Sequence, residues 1–145
     1  MNLSSRLSRV QLTLGGVGLV VGLVGLVQAR HVAFRADTGV VLGWPDYELR
    51  LMGVNQFGAL LILVLAGVGL LAGLVHRPVL AWLSSAGFAL LAVQVLLQWR
   101  ETGTNLVASV GSNLGFALMM AIGFAVTSGL VGRAAEFDEA QPVID

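Results

Sequence analysis

An uninterrupted apolar run of bilayer length leaves a chain few folds to choose from, and this chain carries four. They are Val10 to Ala29, Leu51 to Val75, Val79 to Trp99 and Thr104 to Val131, and none contains Asp, Glu, Lys, Arg or His. Each is close to the roughly 20 residues that a helix needs to cross a hydrocarbon core, where every backbone polar group must find its partner within the segment. The expected fold is therefore an all-α integral membrane protein, a four-transmembrane-helix antiparallel bundle. Composition agrees: 57% of the 145 residues are hydrophobic and 11% charged, and the mean hydropathy is +0.88. A soluble domain of this size would carry about a quarter of charged residues.

The connections follow from the breaks. Residues 1–9 form a short N-terminal segment with Arg6 and Arg9, residues 30–50 a long loop, and residues 132–145 an acidic tail. His76-Arg77-Pro78 reads as a tight turn, because Arg77 holds to the headgroups and Pro78 opens the next helix. In the long loop, His31 to Phe34 and Val40 to Trp44 alternate as two short strands around Asp37-Thr38-Gly39, and Trp44-Pro45-Asp46-Tyr47 reads as a turn into the second span. A small hairpin lying on the membrane is expected there.

Arginine is the sole strongly basic residue, and it does not settle orientation. Arg6, Arg9, Arg77 and Arg133 fall on one side, and Arg30, Arg35, Arg50 and Arg100 on the other. Both termini are placed in the cytoplasm because Arg6 and Arg9 directly precede the first span. The same arginines before an apolar run that ends in Val27-Gln28-Ala29 also suit a cleaved signal peptide, but the apolar region is long for one, so a retained span is expected. The Arg-only, Leu-, Val-, Ala- and Gly-rich composition suits a GC-rich bacterial genome and hence a bacterial plasma membrane.

Glycines mark the helix contacts. Gly15, Gly18, Gly22 and Gly25 are spaced three, four and three apart and share one stripe. Gly69 and Gly73 extend a face with Ala59 and Ala66 in the second span, and Gly111 and Gly115 form a further small pair in the fourth. Between lipid-embedded helices, close backbone approach replaces hydrophobic drive, so these residues are candidate packing interfaces. Ala117, Ala121, Ala125 and Gly129 continue at four-residue spacing. The first stripe is the strongest, and the long loop after it would let that helix stand away and dock a partner.

Little in the spans points to chemistry. With 0 Cys there is no thiol relay or disulfide, and without ionisable groups at depth a proton relay or ion pump lacks its usual parts. His31 and His76 end on opposite sides of the membrane and cannot share a metal within one chain. No catalytic residue, metal or cofactor is expected, nor a nucleic-acid partner at a net charge of +0. Gln94, Gln98, Asn105 and Asn113, with Asn55 and Gln56, make one polar end of the bundle, either interhelical glue or the lining of a small cavity. Arg30, Arg35, Trp44, Tyr47 and Arg50 give the long loop the residue types of a docking surface.

Four spans with a longer first extracytoplasmic loop look like the tetraspan plan, a likeness of topology alone. The leading expectation is a non-enzymatic accessory or stabilising subunit bound to membrane lipid and to other integral membrane subunits, or to itself. The alternative is a small lipid- or quinone-binding carrier or channel.

Overall fold

A computed structural model describes residues 3–31, 40–44, 49–98 and 111–140. Four long helices, α1 (Leu3–Gln28), α2 (Gln56–Val75), α3 (Pro78–Gln98) and α4 (Gly111–Ala140), account for most of them. All four contain segments long and apolar enough to cross a membrane. The chain is a multi-pass membrane protein with a helical bundle.

The helices run up and down in a ring. α1 packs most extensively on α2 and also meets α4, while α3 lies between α2 and α4. Cross-helix neighbours show every adjacent pair to be antiparallel: Gly15 lies against Leu70 and Gly22 against Leu63, Ser84 bonds Leu65, Ser85 bonds Ala121, and Gln11 meets Thr127. Arg6, Arg9, Arg77 and Arg133 therefore share one end, as the break pattern implied, and Ala29, Asn55 and Asn113 share the other.

Side chains are sorted by size. Ala59, Ala66, Ala72, Ala81, Ala117 and Ala121 are buried, together with Phe88, Met120 and Phe124, whereas Val20, Val64, Leu90 and Ile122 point outward. Small residues bring the backbones together, and Phe88, Met120 and Phe124, with Ile62 and Leu91, fill the centre. Phe88 stacks near-parallel on Phe124 at 6.3 Å between centroids and meets Phe116 edge-on at 6.0 Å, geometries that aromatic pairs favour. With lipid outside, the bundle has no hydrophobic reason to turn large aliphatics inward, so packing alone decides which face does so.

The hairpin is present with a different partner strand. β1 (Val40–Trp44) pairs antiparallel with β2 (Leu49–Val54), with a register shift at Leu42/Gly43. The first strand was expected there, but its expected partner, 31–34, is not the one observed. His31 ends a 3-10 turn over Ala29–His31, and residues 32–34 lie outside the described residues, as does the Asp37-Thr38-Gly39 turn. The second span accordingly begins at Gln56 and not at Leu51. Asn55 is the cause: its extended backbone (φ −112°, ψ 171°) and its Oδ1, which accepts from the Gly58 N–H at 2.6 Å, cap the helix. A capped N-terminus stops the helix from propagating back through an apolar run that hydropathy alone cannot divide.

The α2–α3 turn is as tight as expected. His76 ends α2 in the left-handed region (φ 55°, ψ 35°), its N–H donating to the Ala72 carbonyl, and Pro78 begins α3. A proline at the first helical position loses no hydrogen bond, since that N–H has no helical acceptor.

Candidate functional site

The hairpin end is held by polar side chains acting on backbone. The Gly53 N–H donates to Asn113 Oδ1 at 2.9 Å, and Asn113 Nδ2 donates to the Gly53 carbonyl at 2.6 Å. A single amide thus pairs both polar groups of one strand residue. Those two groups point away from β1, so Asn113 covers the outer edge of β2 as a neighbouring strand would; among the described residues the sheet has two strands, β1 and β2. Gln56 Nε2 donates to the Ala29 carbonyl at 3.1 Å, tying the start of α2 to the end of α1. Arg30 and His31, both exposed, lie beside this contact, with Arg30 Nε donating to His31 Nε2 at 2.8 Å.

This geometry assigns the expected polar cavity residues differently. Asn113 is buried and committed to Gly53, while Gln94 is half-buried on α3. The Gln98 side chain and Asn105 lie outside the described residues. Of the expected docking loop, Arg30 is exposed in the turn that follows α1, while Trp44 in β1 pairs with Leu49 and Arg50 in β2 pairs with Gly43, so these two lie at the same end of the strand pair. Arg35 and Tyr47 lie outside the described residues.

The glycine stripe of α1 faces this chain's own bundle. A Cβ on Gly15 would stand 2.7 Å from the backbone nitrogen of Leu70, one on Gly18 2.6 Å from the Ala66 Cβ, and one on Gly22 2.7 Å from Leu63. Gly25 is buried as well. The expectation that this helix stands away to receive a partner is corrected: α2 fills the groove, because its alanines match the glycines and allow continuous contact. Replacing Gly18 and Gly22 with leucine would test the fold of the chain, not its docking. Gly69 packs beneath the Phe124 ring, and Gly73 faces Leu12 and the Ser8 carbonyl. Gly115 departs from the packing expectation, being exposed with nothing within 4 Å of an added Cβ; Gly111 begins α4, and its packing lies outside what is described.

A second polar group, which sequence reading missed, lies at the arginine-bearing end. Ser8, Gln11, Thr127 and Ser128 are all buried. Gln11 Nε2 reaches Thr127 Oγ1 at 3.4 Å, and Thr127 Oγ1 turns back to the Gly123 carbonyl at 2.8 Å. Ser128 Oγ has no hydrogen-bond partner among the described residues. The available signal was helical periodicity, since Phe124, Thr127 and Ser128 lie one turn apart on one face. Among the described residues, no group of three or more His, Asp or Glu comes together in metal-binding geometry.

Two open grooves run along the outside at this same end. One, between α1 and α4, is almost wholly apolar and includes Val10, Leu14, Ile122 and Val126. The other, between α3 and α4, is lined by Trp82, Ala125, Val126, Gly129, Leu130 and Arg133. Compared with protein-family models, with curated proteins and with solved structures, the chain shows no match.

Proposed function

We propose that this chain is a non-enzymatic accessory subunit that docks onto a larger assembly in a bacterial plasma membrane, with both termini in the cytoplasm and the hairpin outside. The observation that carries the reading is the Asn113–Gly53 pair, which fastens the two-stranded sheet to the bundle. A sheet fixed to a membrane bundle is a pre-organised surface, and a strand edge can accept another chain's strand by backbone hydrogen bonding. Because α2 occupies the α1 groove, the docking element in this reading is β1, which ends at Trp44, rather than the first span.

The filled centre also favours a structural role over a carrier. Phe88, Met120 and Phe124 are fully buried where the four helices converge, and the Asn113 amide that would line a ligand cavity is used by the backbone. The test is extraction of the tagged chain from its native membrane in mild detergent, followed by mass spectrometry of the intact complex. Partner subunits at a fixed ratio, lost when Asn113→Ala frees the hairpin, are the expected result. A chain recovered alone, or with copies of itself only, would overturn the proposal.

A further inference from the structure

The groove between α3 and α4 is closed at its outer end by charge. Arg133 lines it, is exposed, and forms no ion pair among the described residues. Trp82, 51% exposed, forms the opposite wall one turn into α3. Below them the lining is Ala125, Val126, Gly129 and Leu130, a trough of about 370 Å³ open to the side. Arg77 stands exposed at the same end, in the turn before α3, and Arg6 and Arg9 are exposed on α1.

Gly129 makes the trough. It belongs to the Ala117, Ala121, Ala125, Gly129 series, which helical geometry cannot keep on one face: each four-residue step turns about 40° past a full circle. Ala117 and Ala121 are buried, Ala125 is half-buried and Gly129 is exposed. The series leaves the core and ends on the outside, where a Cβ on Gly129 would meet nothing within 4 Å.

The geometry points to a binding site for one anionic phospholipid, its phosphate at Arg133 and one acyl chain lying over Gly129 along the α3–α4 seam. A guanidinium pairs with phosphate through two parallel donors. An indole at headgroup depth fixes the level of the site, and the apolar trough below takes the tail. The occupant is a lipid and not a partner helix because the groove joins a cation at the interface to an apolar channel running to depth.

The test uses the full chain in detergent with equimolar phosphatidylglycerol and phosphatidylcholine of matched chains, read by native mass spectrometry. The wild type retains one phosphatidylglycerol in preference to phosphatidylcholine by about fivefold, the factor expected of one basic side chain at an anionic surface. Arg133→Gln brings the ratio to near one. Gly129→Leu lowers retention of both lipids without lowering the melting temperature, since the new side chain enters open space. Arg6→Gln leaves the ratio unchanged. The proposal is overturned if Arg6→Gln removes the preference as fully as Arg133→Gln, which would mean a diffuse field. It is also overturned if Gly129→Leu retains lipid normally, or if the wild type instead forms a dimer that cross-links through position 129.

Discussion

Gly15→Ala adds one methyl group to the chain, and the structure puts that methyl 2.7 Å from both the Cβ and the backbone nitrogen of Leu70 and 2.8 Å from its Cα. Comfortable carbon–carbon contact lies at about 3.5–4.0 Å, so α1 and α2 must part locally by roughly 1 Å. Backbone atoms cannot rotate aside as a side-chain end can. A gap of that size forfeits about a quarter to a half of the dispersion attraction of the atoms facing it, and overpacking of this kind costs about 1–3 kcal/mol. Gly16, one residue on, has nothing within 4 Å of an added Cβ, so Gly16→Ala keeps the seam and gains helix propensity of up to about 1 kcal/mol. Gly15→Ala gains the same propensity, so the two variants, which share composition and hydropathy, should differ by the overpacking alone, about 1–3 kcal/mol. Equilibrium unfolding in mixed micelles, titrating a denaturing against a mild detergent, measures the difference. If Gly15→Ala proves as stable as Gly16→Ala, then α1 does not pack on α2 through its glycines, and the stripe is again free for a partner.

Two serines on facing helices should respond to alanine with opposite signs. Ser85→Ala removes the 2.8 Å bond to the Ala121 carbonyl and is expected to destabilise by about 0.6 kcal/mol, whereas Ser128→Ala removes a buried hydroxyl without a partner and should stabilise by about 1 kcal/mol; the same unfolding titration reads both. Asn113→Ala leaves the Gly53 N–H and carbonyl without their side-chain partner, so amide exchange at Gly53 should accelerate by about tenfold or more, corresponding to at least about 1.4 kcal/mol. Unchanged exchange would show that the hairpin is held by other contacts. At the α2–α3 turn, His76→Gly should be neutral or stabilising and His76→Val destabilising by about 1–2 kcal/mol, because only glycine adopts the left-handed backbone without cost. Thermal melts in detergent would show equal values for the two if that backbone conformation were absent.

The spans were legible because hydropathy is a sum along the chain, and the tight His76-Arg77-Pro78 turn because proline acts locally. The β1 strand, Val40–Trp44, was legible from its alternation and its flanking turn residues. Its partner was not, because pairing is a choice between distant segments: an apolar run containing Leu51 and Met52 suits a helix and a strand alike, and only the Asn55 cap divides them. The candidate site was harder to read. Gln94, Gln98, Asn105 and Asn113 were grouped by depth in the membrane, which sequence supplies, but the commitment of Asn113 to Gly53 depends on where a strand 60 positions away comes to lie.

The glycines draw the same boundary. Their spacing alone determined that α1 has one smooth face, since the period of a helix is a property of its backbone. Which surface fills that face was decided by the tertiary structure, where Ala59 and Ala66 on α2 let the two backbones meet. Between apolar helices in lipid every face is equally greasy, so hydropathy carries no signal for inside and outside, and only the pairwise fit of shapes selects the neighbour.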